Sequence, residues 1–324
     1  MNGKKEVVEK TTAEKRRDQI VNTNGIPNII YEATRFEWYS GAEVKKDFSV
    51  TELLKPPLIK RLEEKYFEKT KLEASDQLWT MMGSALHHVL ECGAKMCPGR
   101  YILEKRMTEE FFGKMVSGQM DVYDILEQGI EDHKYTSVWK YVFRNKGETM
   151  AEWTFQLNVY RLLALKAGLP VKKLSINLIF RDFELKKAEA ARISGKDDYP
   201  LFSSIQIPIQ IVDEEEILAQ IHYHIKLHEA SRSLEIADIP HCSEAERWQD
   251  QTKWAVEKTG RKTAVRVLYG WQQAMNYIRD EVKKDKELHF VTKRPGIPKR
   301  CINYCPTHDH CPWYQAYLKD QKKG

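Results

Sequence analysis

Two hydrophobic periods divide the chain. Leu78, Met82, Leu86 and Leu90 recur at i, i+4 spacing in QLWTMMGSALHHVLECGAKM (77–96), which predicts a helix with an apolar stripe. ETMAEWTFQLNVYRLLALKAGL (148–169) has the length and period of a longer helix, ended by Gly168 and Pro170. Between them, YILEKRMTEEFF (101–112), GKMVSGQMDVYD (113–124) and QGIEDHKYT (128–136) read as strands, and Glu127-Gln128-Gly129 turns the chain between the last two. KLSINLIFRDF (173–183) reads as a further strand. The predicted order is helix, three strands, helix, strand.

Outside this block the signals are more local. Ser49-Val-Thr-Glu52 is a capping box opening a short helix. Pro56-Pro57 breaks it, and a helix restarts over 58–69. Residues 184–199, charged and glycine-containing, are expected to be a loop. SIQIPIQIV (204–212) alternates and reads as an edge strand because Pro208 cannot donate to a ladder. A helix is predicted over 213–233, with Asp213 to Glu216 complementing its dipole. His222, His224 and His228 on it are expected at the surface. Beyond residue 241 a hairpin, a helix, a strand and a cysteine-bearing tail follow. Residues 1–24 are polar and unpatterned and are expected to form a mobile arm. The expected organisation is an arm and lead-in (1–47), a core with an insertion (48–240) and a basic, cysteine-containing module (241–324).

Composition narrows the class. With 324 residues, 42% of them hydrophobic, and eight Trp, the chain can bury a full core. No run of about 18 apolar residues occurs, so no membrane span is expected. The start, MNGKKEVVEKTTAEKRRDQ, lacks the apolar core of a signal peptide, and a cytoplasmic protein is expected. The net charge is +5, but residues 246–324 hold 17 Lys/Arg and 9 Asp/Glu, or +8, which leaves −3 for the other 245. A basic C-terminal region suits a polyanionic partner.

The candidate chemistry lies in SGQMDVYDILEQGIEDHKYTS (117–137). Adjacent strands can bring Asp121 and Asp132 together, with Lys134 nearby. Carboxylates are hard ligands suited to Mg²⁺ or Mn²⁺, and a cation beside them can offset charge on a phosphate. GSALHHVLE (83–91), GQMDVYD (118–124), IEDHK (130–134) and QLNVYRLLA (156–164) occur in the order Gly-x-x-x-His helix, Gly-x-x-Asp strand, Asp-x-Lys strand, Gln-x-x-x-Tyr helix. This ordered set resembles the RecB-like branch of the PD-(D/E)XK nuclease superfamily over roughly residues 48–183. The resemblance implies an α/β, restriction-endonuclease-like core with a central mixed sheet flanked by helices. It also implies a metal-dependent DNA nuclease, most often an exonuclease of recombination, repair or replication, with DNA and proteins of those processes as partners. His87, Asp121, Asp132 and the His133 carbonyl would hold Mg²⁺ or Mn²⁺. Lys134 would be the catalytic lysine, and Gln156 and Tyr160 would hold the substrate. His88 leaves the histidine register open. Glu104 is expected at an exposed strand position, with an extra site acid as the alternative, and Asp124 and Glu131 are left outside the site. A protein that keeps the fold and only binds nucleic acid is the alternative.

Cys301-x3-Cys305-x5-Cys311 has the compact spacing of a metal knuckle. Some RecB-like nucleases, including AddB and CRISPR-adaptation exonucleases, carry an iron–sulfur cluster on three C-terminal cysteines and one far upstream. In SVTELLKPP, Lys55 stands where that upstream cysteine would be. Cys242 is the replacement candidate, with Cys92 and Cys97 as alternatives; Cys92 is expected to be buried in its helix. His308 or His310 would instead complete a Cys₃His zinc site. The expected cofactor is an iron–sulfur cluster, with Zn²⁺ as the alternative.

Overall fold

Two tight turns shape the sheet that carries the candidate acids. The computed structural model describes residues 12–36, 44–144, 149–196 and 198–321. The chain divides into two compact units, Met1–Ile239 and Pro240–Gly324.

The first unit begins with α1 (Thr12–Gln19), β1 (Ile20–Val21) and α2 (Asn28–Arg35). Residues 1–11 of the expected arm lie outside the described residues, as do 37–43 of the lead-in. The rest of the arm is structured: β1 pairs in parallel with β3 (Leu72–Glu73), and the buried Gln19 amide donates to the Phe67 carbonyl. Polarity alone hid this, because what fixes the segment is hydrogen bonding rather than an apolar stripe.

The main sheet has six strands. These are β2 (Phe48–Ser49), β4 (Tyr101–Phe111), β5 (Lys114–Asp124), β6 (Gly129–Thr136), β7 (Lys173–Phe180) and β8 (Ser204–Ile209). Phe112 and Gly113, both at positive φ (51° and 74°), close the β4–β5 hairpin as a two-residue turn whose twist matches its strands. At the β5–β6 turn, Asp124 accepts from the N–H groups of Leu126 and Glu127 and pairs with Arg100 at 2.8 Å. Asp124 therefore builds the turn. β5 pairs with β6 only over Val122–Asp124, and with β2 near Val116 and Ser117, so its middle is free of a neighbour on that side. β6 and β7 are parallel, and β8 is an antiparallel edge strand, as Pro208 requires.

Helices pack on this sheet. α3 (Val50–Leu53) starts at Ser49 with the predicted capping box, and α4 (Pro57–Tyr66) follows. α5 (Leu78–Ala94) precedes the hairpin, α6 (Val138–Val142) follows β6, and α7 (Thr149–Lys166) connects β6 to β7. α7 is buried nearly all round, from Trp153 to Ala164, between the sheet and α3 and α9 (Glu214–Arg232). A helix covered on both sides needs no polar face. On it, the buried Asn158 donates to the Gln210 carbonyl and accepts from Val212 N–H, fixing the chain beyond β8.

Several expectations are corrected. Residues 185–194 form α8 (Leu185–Ser194), because LKKAEAARIS is rich in strong helix formers and Gly195 ends it at φ 66°. α5 has no buried residue, and its stripe residue Met82 is exposed, so the apolar period there does not mark a core face. Cys92 is exposed rather than buried. His228 is 2% exposed, continues the buried Ile217, Ile221, Ile225 face and contacts the Leu53 carbonyl at 3.2 Å. Burial holds its imidazole below the ordinary histidine value.

In the second unit, β9 (Lys253–Lys258) lies between β10 (Arg266–Leu268) and β11 (His289–Arg294), all antiparallel, and α10 (Trp271–Asp280) packs on them. α11 (Lys299–Asn303) and α12 (Pro312–Gln321) carry the tail. Among the described residues, no helix is long and apolar enough to cross a membrane.

Candidate active site

The two candidate acids sit where the β5–β6 ladder stops. The last paired residues are Val122 and Glu131, so Asp121 and Asp132 would be the next pair. Here a side chain replaces the backbone bond: Asp121 Oδ2 accepts from His133 N–H at 2.7 Å. The parting of the strands opens a cavity of about 910 Å³ that includes His87, Glu104, Asp121, Asp132, Lys134 and Tyr160.

On one side of the site, His87 Nδ1 lies 3.6 Å from Glu104 and 3.8 Å from Asp121. His87, Glu104 and Asp121 each offer a ligand atom, all within 4.8 Å of one another. Of the two histidines, His87 faces the acids, whereas His88 Nε2 contacts Cys92 Sγ at 3.8 Å. Glu104 corrects the expectation of an exposed strand position. Its φ is 47°, a left-handed conformation rare for a side-chain-bearing residue, and it interrupts the β4–β5 ladder opposite Asp121. Gln119 donates to Glu104, and Arg106 donates to Gln119 and to Ser117.

On the other side, Asp132 is 2% exposed. Its Oδ2 pairs with the Lys134 ammonium at 2.7 Å. Its Oδ1 accepts from Gln156 Nε2 at 3.1 Å, and that amide also meets the Tyr160 hydroxyl at 3.0 Å. Gln156 and Tyr160 are thus buried and turned to Asp132. Asp132 is outside the 4.8 Å group of ligand atoms. His133 contributes its N–H to Asp121, and its ring lies 3.3 Å from the Asn177 amide. Asn177 also donates to Glu131 at 2.6 Å.

The electrostatics follow from burial and crowding. Burial, with Asp132 adding to it, pushes the Asp121 carboxyl up to about 7. The Glu104 contact lifts the His87 imidazole above its ordinary value against the pull of burial, and Asp121 adds to it. Burial works against the Glu104 carboxylate, yet His87 and Gln119 hold it below the usual range. Burial also penalises the Lys134 ammonium, but Asp132 outweighs this and raises its value, so Lys134 stays charged. Burial lowers the His133 imidazole. Two carboxylates and an imidazole converging beside the buried Asp132 carboxylate fit a divalent cation, with Mg²⁺ or Mn²⁺ suited to the oxygens and Mn²⁺ better suited to the nitrogen.

In the second unit, Cys301 and Cys305 are buried, and Cys242 and Cys311 are half-buried. Burial pushes the Cys242 thiol up to about 12, with Glu246, Cys311 and Cys301 adding to it. Burial also raises Cys301 to about 11, with Cys305 and Cys311 adding to it. The four thiols are therefore electrostatic neighbours. Arg247 donates to the Cys242 carbonyl and packs 4.1 Å over Trp313, and Arg300 donates to the Glu246 carbonyl, so the Cys242 loop is tied to the tail. Cys92 and Cys97 are exposed and belong to the first unit. Among the described residues, the buried His308 Nδ1 has no hydrogen-bond partner.

No family model matches the sequence, and neither does any curated protein. Among solved structures, the fold has a distant likeness to the crystal structure of SSO0001, with a TM-score of 0.41 and 19% identity, covering 62% of this chain and 85% of that one. It has a weaker one to a phage-related exonuclease from Haemophilus somnus 129PT, with a TM-score of 0.29 and 11% identity, covering 63% of this chain and 79% of that one.

Proposed function

We propose that the chain is a metal-dependent DNA nuclease of the RecB-like PD-(D/E)XK type, acting as an exonuclease. The observation that carries this is the meeting of His87, Glu104 and Asp121 with the Asp132–Lys134 pair in one cavity. His87, Glu104 and Asp121 would hold Mg²⁺ or Mn²⁺ beside Asp132. A divalent ion bound there lowers the pKa of water and polarises a phosphoryl oxygen. Lys134 stays an ammonium, so it serves as a charge and proton donor toward a phosphate oxygen in the pentacovalent transition state rather than as a base. Gln156 and Tyr160 fix the Asp132 carboxylate and line the same cavity, where they would also meet the substrate. Exonuclease action rests on the resemblance of the four motifs.

The test is cleavage of end-labelled linear and closed circular DNA with Mg²⁺ or Mn²⁺. Degradation of the linear form alone supports an exonuclease, and nicking of the circle an endonuclease. Loss of cleavage in Asp121→Ala and Lys134→Ala is expected. Unchanged cleavage in both variants would overturn the site, and no cleavage by the wild type would favour a DNA-binding protein.

Cys242, Cys301, Cys305 and Cys311 would hold the second metal group. A tetrahedral zinc site with Zn–S bonds of about 2.3 Å brings sulfurs to about 3.8 Å from one another. Among the described residues, no three of these sulfurs form a group within 4.8 Å. The Cys301-x3-Cys305-x5-Cys311 spacing, with its resemblance to the cluster ligands of some RecB-like nucleases, favours an iron–sulfur cluster. Iron and sulfide analysis of protein purified without air distinguishes it from zinc.

A further inference from the structure

A second cavity, of about 580 Å³, lies in the first unit between α6, α8 and the edge strand β8. Arg144, Arg192 and Lys196 line it together with Tyr141, Tyr199 and Phe202, and among the described residues no acidic residue does. Arg192 and Lys196 form no ion pair among the described residues. Tyr199 is fixed by the Glu184 N–H, which donates to its hydroxyl at 2.7 Å. Phe202 is 62% exposed. The Arg144 guanidinium sits 3.8 Å over the Tyr141 ring. On the same segment, Trp139 and Phe143 stack at 5.5 Å with their planes 14° apart, and they are 60% and 49% exposed. Large aromatic faces left in water cost free energy unless something covers them. The segment starts just past β6, the strand that carries Asp132 and Lys134. Its start is anchored: Val138 N–H donates to Asp182 Oδ1 at 2.7 Å.

We infer that this cavity and the Trp139–Phe143 pair form a binding track for single-stranded polynucleotide. The cations would take backbone phosphates, and the aromatic rings would stack on unpaired bases. Cations interleaved with exposed rings are what sequence-tolerant single-strand binding needs, since every base has a π face and every nucleotide a charge. A duplex keeps its bases stacked inside and offers the rings nothing. The track thus recognises unpaired strand leading to or from the site. This rests on the reading of the chain as a nuclease, but its test does not require cleavage.

The experiment is fluorescence anisotropy of the full chain in EDTA, with labelled oligothymidylate, oligouridylate and a blunt duplex. Arg192→Glu/Lys196→Glu is expected to weaken oligothymidylate binding about tenfold or more and to flatten its salt dependence by about 0.7 per lost phosphate contact. Trp139→Ala and Phe202→Ala are each expected to weaken it about fivefold or more. Duplex binding should stay within a factor of about two. Equal binding of oligouridylate would extend the ligand class to RNA, and weaker binding would restrict it to DNA; both support the track. Unchanged oligothymidylate binding in all variants, with unchanged thermal unfolding, would overturn it. So would equal losses on single strand and duplex. Hydrolysis of bis(p-nitrophenyl) phosphate with Mn²⁺ should be unaffected by these substitutions. If the wild type lacks that hydrolysis but the binding losses appear, the nuclease reading fails and the track stands.

Discussion

A β-carbon on Gly118 would lie 2.8 Å from Cε1 of Tyr160 and 2.7 Å from Cδ1 of Leu163. The glycine of the Gly-x-x-Asp motif therefore lets α7 sit close against β5, and α7 brings Gln156 and Tyr160 to Asp132. Gly118→Ala must push the helix or its side chains outward. Overpacking of this kind costs about 1–3 kcal/mol. Lower thermal stability and a large loss of cleavage are expected together. A variant with full stability and full activity would show that the contact has no part in the site.

Glu104 tests which acids hold the cation. Its left-handed backbone and its approach to His87 make it a ligand candidate equal to Asp121. Glu104→Gln keeps the shape and removes the charge. Mn²⁺ affinity, measured by calorimetry, should fall by at least the roughly 10–100-fold that loss of a ligand's supporting partner costs. Unchanged affinity would return the metal to His87, Asp121 and Asp132.

Asp121 links the site to pH. Its folded-state value of about 7 lies above the ordinary 3.8, so between those values the folded chain binds more protons than the unfolded one. Stability of the metal-free protein from this group therefore falls as pH rises from about 4 to about 7. Asp121→Asn removes that penalty and should stabilise the metal-free protein at pH 8 by on the order of 1–3 kcal/mol, with little effect near pH 4. Cation binding must displace that proton and the one on the raised His87 imidazole, so wild-type Mn²⁺ affinity should rise with pH through about 7. Unfolding curves and calorimetry at several pH values check both. A variant no more stable than the wild type at pH 8 would remove the penalty from Asp121.

The hairpin and α7 were legible because their signals are local. Turn residues bound the strands, and a long apolar run ended by Gly168 and Pro170 marks the helix over 149–166. The order of four motifs then pointed to His87, Asp121, Asp132 and Lys134, which the fold gathers in one cavity. Glu104 was legible only as an alternative site acid. Strand alternation places it on the surface, and only the break in the ladder opposite Asp121 turns it to His87. The partners of Gln156 were hidden for a related reason. Its spacing from Tyr160 fixes a shared helix face, while the Asp132 contact depends on how close Gly118 lets that helix come. The exposed stripe of α5 shows the converse, since a period reports which face is apolar and not whether anything covers it.

The cysteine group yields the last prediction. Arg247 and Arg300 tie the Cys242 loop to the tail that holds Cys301, Cys305 and Cys311, all within the second unit. Burial keeps Cys242 and Cys301 protonated without metal, so binding must release those protons. Cys242→Ser should then lower the iron content of protein purified without air and destabilise the second unit, while Cys92→Ser should change neither. Limited proteolysis followed by mass spectrometry reads the unit's stability apart from any cleavage of DNA. Full iron in Cys242→Ser would move the fourth ligand elsewhere. Equal amounts of zinc in both variants and no iron would favour a Cys₃His site, and His308, whose buried Nδ1 has no hydrogen-bond partner among the described residues, would be the residue to change next.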